Sequence, residues 1–344
     1  MKTIPAGTAL LCSLLLLTLG GCAVTPGNTP PESPATAMVD NVPTMRASAR
    51  PRLPRIPLLI QGDFSERAVR RGVTATTEDC RAIANAAWVE STAHGAECIR
   101  YWPAGFGATP VRRAVIFFHG DVLASGGVSA EYQAQTPEKL QRDADQWAKR
   151  LGVPYVFVGR PGTHGSSGEH TQRRRVSESV FMSLAVDAIK ARYGIEGLVI
   201  AGQSGGGHVT ASLVAARNDI VCAVPTSSVS SPRLRQTMRN WTVDATGYDD
   251  SYEPVEHLVK AKMNANLRVF VVGDPQDSNV LWAPQTILAK RLSEIGVANE
   301  ILEGEGTGPA RHSMGRSGRI VAGWCAKDMS TEEIVRRAKL GLKG

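Results

Sequence analysis

Two short stretches, residues 114–118 and 267–272, are almost uniformly apolar. A strand with one face in water alternates polar and apolar residues. A run without a polar face has to be covered on both sides, as strands inside a parallel sheet are. From about residue 97 onward, such runs alternate with longer amphipathic ones, the pattern of successive βαβ units. Strands are predicted at 98–102, 114–118, 155–158, 197–201, 220–224, 267–272 and 299–302. Helices are predicted at 137–151, opened by Thr136-Pro137, and at 177–193, where Val180, Leu184 and Ala188 recur at i, i+4 spacing. A third helix at 209–216 includes Ser212 and Leu213, and a fourth spans 284–295. Residues 226–266 are too many for a bare connection and carry Trp241, Tyr248 and Tyr252, so they read as a small lid or cap. The expected architecture is α/β, a doubly wound, mostly parallel sheet with a small cap insertion. Ligands of such sheets bind beyond the carboxyl ends of the strands, so the loops after each strand hold the candidate chemistry.

The 344 residues are 42% hydrophobic and 21% charged, with 34 Gly and 20 Pro, which excludes a disordered, collagenous or coiled-coil chain. Lys and Arg number 39 against 32 Asp and Glu, a formal +7. Spread over this length, that excess names no partner, and no nucleic-acid reading motif accompanies it. Arg173-Arg174-Arg175, the densest basic run, reads as a solvated loop or helix start. At the N-terminus Lys2 precedes an apolar run over residues 9–19 that is short for a membrane span and reads as a signal peptide, 1–21. It ends in Leu19-Gly20-Gly21-Cys22, which resembles the bacterial lipobox; the resemblance implies lipidation of Cys22 and a membrane anchor. With Ala23 rather than Asp next, it further implies a place in the cell envelope at the outer membrane, facing the periplasm. Residues 22–57, rich in Pro, Ser and Thr, read as a tether, and 58–344 as the folded domain. Cys80, Cys98, Cys222 and Cys325 remain, an even number in an oxidising compartment. Three connectivities are open. Cys80–Cys98 with Cys222–Cys325 is tried first, and a buried free thiol is the alternative for Cys222.

After the strand ending at 201 comes Gly202-Gln203-Ser204-Gly205-Gly206-Gly207-His208, and a helical run follows. This is a G-x-S-x-G elbow in the strand-to-helix setting the motif requires. The turn is so tight that the positions two before and two after the serine must nearly lack side chains, while the serine hydroxyl stands exposed in a strained conformation. The helix N-terminus faces the reaction centre, and the Gly205 amide is placed to donate to an oxyanion. His208, in the first helical turn, reads as a packing or hydrogen-bonding residue.

Upstream, Phe117-Phe118-His119-Gly120-Asp121 closes an apolar strand. This His-Gly, the elbow and the downstream turns together resemble the α/β-hydrolase superfamily over roughly residues 97–325. The resemblance implies that the loop after the His-Gly strand supplies a second oxyanion amide, that of Asp121, with Gly120 and Val122 as alternatives in register. His119 is then a loop-organising residue. Asp121 departs from the apolar or glycine residue more familiar there. Residues 159–168 look like the family's Arg-Gly-x-Gly-x-Ser segment at the mouth of the site. They lack the Gly-Lys-Ser/Thr ending of a phosphate loop, and the chain has no His-Glu-x-x-His for a metal.

The family's chain order is Ser, then Asp or Glu, then His. In Gly273-Asp274-Pro275-Gln276-Asp277-Ser278-Asn279-Val280 the step from Asp277 to Val280 resembles the acid turn, so Asp277 is preferred to Asp274; whichever is not the acid makes an Asx turn. His312 is the only histidine after either aspartate and takes the place of the base. Residues 251–258 are similar to the segment before the acid strand in prolyl-oligopeptidase-like hydrolases. The implied activity is that of a serine hydrolase needing no metal or cofactor, a carboxylesterase before a peptidase or amidase, acting on a small-molecule ester or a short peptide. A noncatalytic envelope lipoprotein of the same fold is the reading from a different class.

Overall fold

The apolar runs become the inner strands of an eight-stranded sheet in the computed structural model, which describes residues 54–107, 110–124 and 127–344. Cys22, the signal peptide and nearly all of the tether lie outside the described residues. The strands are β1 (Ala86–Ser91), β2 (Gly95–Ala104), β3 (Val111–Phe118), β4 (Tyr155–Val158), β5 (Ile195–Gln203), β6 (Ile220–Thr226), β7 (Arg268–Gly273) and β8 (Asn299–Glu303). Their spatial order is β1-β2-β4-β3-β5-β6-β7-β8. From β4 to β8 every neighbouring pair is parallel, whereas β2 runs antiparallel to both β4 and β1. The chain leaves β3 toward β4 and returns to β5 on the other side of β3, so the crevice between the carboxyl ends of β3 and β5 is the switch point where such sheets place their ligands.

Alternate residues of each inner strand enter separate cores. Ile116 and Phe118 of β3, Leu198 and Ile200 of β5 and Val269 and Val271 of β7 pack with helices α2 (Val176–Tyr193), α3 (Gly205–Ala216) and α5 (Trp282–Glu294). Val115, Phe117, Val199, Ala201, Phe270 and Val272 face α1 (Pro137–Leu151), α6 (Gly315–Ala326) and α7 (Thr331–Ala338). Each Val, Ile, Leu or Phe so buried contributes about 1.5–3 kcal/mol, which is why a run with no polar position is tolerated here. The cap is the connection between β6 and β7. It holds α4 (Pro232–Arg239), which Ser231 opens by accepting from the Leu234 amide, and two single turns at Pro254–Glu256 and Lys260–Lys262. Glu253 fastens the start of α4, accepting from Ser231 Oγ at 2.7 Å and from the Arg233 amide at 2.6 Å.

Three expectations change. The folded body begins before residue 58: Ile56–Pro57 pairs in parallel with Val73–Thr74, and Arg55 reaches Glu97 and Glu169 at 2.8 and 2.9 Å. Of the three residues expected on one side of α2, Val180 is buried but Leu184 and Ala188 are only partly covered, and the buried side centres on Phe181, Met182, Ala185, Val186 and Ile189. Edge strand β1 and helices α6 and α7 add to the predicted set; α6 opens with Gly315 and contains Gly318 and Gly323, which masks its period in the sequence. No helix among the described residues is long and apolar enough to cross a membrane.

Both disulfides take the connectivity tried first. Cys80–Cys98 joins the short helix Thr77–Arg81 to β2, and Cys222–Cys325 joins β6 to α6, so Cys222 is not a free thiol. The separations are 18 and 103 residues. Chain entropy then assigns about 3 kcal/mol to the short closure and about 5 kcal/mol to the long one. Replacing Cys222 and Cys325 together by Ala should therefore lower the urea-unfolding free energy more than replacing Cys80 and Cys98; the reverse order would show that closure length does not govern their contributions.

Candidate active site

Ser204 sits between β5 and α3 at φ 55° and ψ −114°, a region non-glycine residues rarely occupy. Close backbone approach enforces the turn. A Cβ on Gly202 would lie 2.1 Å from the Gly206 carbonyl oxygen, and one on Gly206 would lie 2.1 Å from the Phe118 carbonyl oxygen. The Ser204 amide donates to Thr226 O at 2.8 Å, tying the elbow to the end of β6.

His312 meets the serine from the loop after β8. Its Nε2 is 2.8 Å from Ser204 Oγ and its Nδ1 is 2.6 Å from Asp277 Oδ2. An ionised carboxylate only accepts, so Nδ1 carries the ring proton and Nε2 is left bare toward the serine hydroxyl. Asp277 is itself held: its Oδ1 accepts from the Asn279 and Val280 amides at 2.7 and 3.0 Å, and Gln285 Nε2 donates to Oδ2 at 3.3 Å. Asp274 does not face the ring. It accepts from the Gln276 amide at 2.7 Å in an Asx turn, and from the Gly306 amide and Arg311 Nε, both at 2.8 Å. Burial pushes its carboxyl up, but those two amides and Arg311 hold it below the usual range. Asp274 thus secures the loop that carries His312. Gln203 grips the same loop, donating to His312 O at 2.8 Å and accepting from the Met314 amide at 3.1 Å, a role the sequence did not reveal.

The loop after β3 lies against Ser204, with a Cβ on Gly120 placed 3.4 Å from Ser204 Cβ. Of the three amides considered there, that of Val122 is taken by His170 Nε2 at 3.2 Å, which leaves Gly120 and Asp121. His119 organises the loop: its Nε2 accepts from the Arg160 amide at 3.1 Å, so Nδ1 holds the proton and donates to Gly120 O at 2.6 Å. Burial, then His164 and Arg160, keep this ring well below its usual pKa and neutral. His208 donates to Tyr252 O at 2.9 Å and packs edge-on against the Tyr252 ring of the cap.

Among solved structures, Pyrococcus horikoshii acylaminoacyl peptidase superposes with a TM-score of 0.51 at 13% identity, over 73% of this chain and 43% of that one. The α/β-hydrolase fold is shown. Est1E from Butyrivibrio proteoclasticus, solved with ferulic acid, gives 0.48 at 13% identity over 74% and 98% of the two chains. A puromycin-hydrolyzing peptidase of Mycobacterium tuberculosis gives 0.46 at 17% over 75% and 40%. This chain therefore spans less than half of either peptidase. No protein-family model matches it, and no curated sequence does.

On this α/β-hydrolase fold the Asp121 side chain is the feature the sequence left unexplained. Its Oδ1 fills the space beside the Ser204 elbow, where a Cβ on Gly205 would come within 2.0 Å of it. Arg160 Nη1 meets Oδ1 at 3.0 Å, and Arg173 Nε meets Oδ2 at 3.1 Å, with Arg174 Nη1 on the same oxygen. Arg174 also pairs with Asp244 of the cap at 2.7 Å, and Arg160 with Glu178 at 2.8 Å. The basic run is thus not solvated: Arg173 is 4% and Arg174 0% exposed, and Arg175 pairs with Asp250. A cavity of about 830 Å³ opens beyond this segment, between the start of α2 and residues 249–257, and does not include Ser204, Asp277 or His312.

Burial alone would raise the Asp121 carboxyl, but Arg174, Arg173 and Arg160 hold it well below the usual carboxylate range. Such a group stabilises the fold fully above its unfolded pKa of about 3.9 and loses that contribution as pH falls toward the folded value. Asp121→Asn leaves three guanidiniums without their shared anion and should cost about 3–5 kcal/mol at neutral pH. Denaturant unfolding at several pH values should show this difference constant from about pH 5 to 8 and shrinking below about pH 4. A difference that grows with acidity would contradict the assignment.

Proposed function

We propose that this chain is a serine hydrolase that cleaves carboxylic esters through a covalent acyl-enzyme. The observation that carries the reading is the single line of contacts from Asp277 through His312 to Ser204 Oγ, at 2.6 and 2.8 Å. Ser204 Oγ attacks the carbonyl carbon as its proton passes to His312 Nε2, and Asp277 steadies the imidazolium that forms. The tetrahedral oxyanion is received by the amides of Gly205 and Asp121, each donor of this kind being worth about 10²–10³ in rate. The imidazolium returns the proton to the departing alcohol. Water then attacks the acyl-serine by the same route, and the free acid leaves.

A carboxylate that holds a substrate's amino terminus has to be open, and the two acidic residues considered for that part, Asp121 and Glu169, are already paired, which favours ester cleavage over release of amino-terminal residues from peptides. Asp121 is shared by three arginines, and Glu169 pairs with Arg55 at 2.9 Å. A lipid anchor on Cys22 holds this catalytic body at the outer membrane, facing the periplasm. The two disulfides support that reading, because such bonds persist in oxidising compartments.

A fluorophosphonate probe should label the folded protein and fail to label Ser204→Ala; absence of labelling in the wild type would end the hydrolase reading. Asp277→Asn should lower kcat by about 10⁴. Asp274→Asn should act more on stability, through the His312 loop, than on kcat, and the opposite ranking would move the acid role to Asp274. Expressed with its leader, Cys22→Ser should move the protein from the membrane to the soluble fraction; an unchanged distribution would remove the anchor.

A further inference from the structure

Gln285 lies in the first turn of α5 and is 0% exposed. Its Nε2 faces three oxygens of the turn that carries Asp277: Val280 O at 2.6 Å, Asp277 Oδ2 at 3.3 Å and Asp274 O at 3.4 Å. Carbonyls and an ionised carboxylate only accept, so the atom among them is the amide nitrogen, and the amide cannot be turned over. Of its two hydrogens, one goes to Val280 O and the other is shared between Asp277 and Asp274. At the opposite end Oε1 is buried with no donor among the described residues. A buried acceptor without a donor costs stability, and an apolar side chain of similar size would avoid that cost. The presence of Gln285 is therefore explained by its nitrogen and not by packing.

The end of β7 makes room for this amide. A Cβ on Gly273 would stand 2.1 Å from Gln285 Oε1 and 2.9 Å from Trp282 Cζ3. Gly273 does not have a positive φ, so its lack of a side chain answers to that space and not to the backbone. The Asn279 and Val280 amides hold Asp277 Oδ1 at 2.7 and 3.0 Å, while Oδ2 has to meet His312 Nδ1 at 2.6 Å. Two bonds to one oxygen leave the other able to swing about it. A donor on Oδ2 itself removes that freedom, and Val280 O and Asp274 O keep the donor in place.

We propose that Gln285 is a positioning residue for the acid: it directs Asp277 Oδ2 at His312, and Gly273 is the space kept for it. This rests on the hydrolase reading and adds to it the means by which the acid is aimed. Gln285 acts through Asp277, whose part is played as charge builds on the ring, so its loss appears in kcat and leaves KM nearly unchanged.

Gln285→Met nearly keeps the volume and removes the donor. Its kcat on a para-nitrophenyl ester should fall about 10- to 100-fold, as a small misplacement near reacting groups does, with KM within about twofold of the wild type. Gln285→Glu separates aiming from packing. A protonated Glu donates and an ionised one does not, and burial beside Asp277 raises the pH at which it ionises. The ratio of kcat for Gln285→Glu to kcat for Gln285→Met should therefore exceed one near about pH 6 and fall as pH rises toward about 9. Protonation of His312 affects both variants alike and cancels from the ratio. Unchanged kcat in folded Gln285→Met, or a ratio that does not vary with pH, overturns the inference. If thermal melting shows Gln285→Met to be unfolded, Gly273→Ala takes its place: the added methyl displaces the Gln285 amide and should give the same loss of kcat, and full kcat overturns the inference. If the wild type neither labels with fluorophosphonate nor turns over esters, the hydrolase reading falls, and the low-field NMR resonance of the His312 Nδ1 proton decides the positioning by itself. A resonance that moves or broadens in Gln285→Met or Gly273→Ala upholds it; one that is unchanged, or missing from the wild type, overturns it.

Discussion

The backbone of β3 closes on the first turn of α3 where Gly206 rests against the carbonyl of Phe118, and the geometry of the site follows from that contact. The space there admits no Cβ on Gly206, and the Gly202 position is closed by Gly206 in turn. A strand can pass into a helix over so short a distance only if the residue at the corner takes up the bend, which Ser204 does at a positive φ. Bending it this way turns the hydroxyl outward at the carboxyl ends of β3 and β5 and brings the β3 loop alongside. The Ser204 hydroxyl and the β3-loop amides beside it are consequently set by one packing constraint. The strain of about 1–3 kcal/mol at Ser204 is maintained by the two cores that hold β3 and β5 from either face.

His312 is positioned differently, by polar contacts instead of packing. His312 comes from a loop with few buried apolar residues of its own, and two side chains from neighbouring strand ends hold it in place. Gln203 clamps the backbone on both sides of Ser313, through His312 O and the Met314 amide, and Asp274 takes the Gly306 amide and Arg311. Two aspartates three residues apart thereby divide the work: one orients the ring and the other orients the loop that carries the ring.

Legibility in the sequence tracked the range of the interaction. The inner strands were readable because double-sided burial leaves a run with no polar position, and the elbow because its glycines answer a local clash. The meeting of Ser204, Asp277 and His312 was reachable only through the chain order of a resembled family, since nothing in residues 204, 277 and 312 taken separately says that they converge. Local reading failed at Arg173-Arg174-Arg175. Three consecutive arginines look solvated when their neighbours in sequence are weighed, and their anions are distant: Asp121 lies more than 50 residues upstream and Asp244 about 70 downstream. The one signal was Asp121 itself, an acidic residue where the family is usually apolar or glycine. Likewise β1 is an edge strand whose burial alternates, and its pairing with β2 is visible only once β2 is seen to run antiparallel to β4.

The arginine cluster also decides how freely the cap can move. Arg174 holds Asp121 of the oxyanion loop with one nitrogen and Asp244 of the cap with another, while Arg173 reaches Leu123 O and Ala245 O. The cap and the oxyanion loop therefore share their buried charges. Lifting residues 244–245 away would leave Arg174, 0% exposed, with half of its counter-charge gone, and breaking a buried pair in that way costs about 3–5 kcal/mol. A cap opening against that cost is populated at well below one part in a hundred.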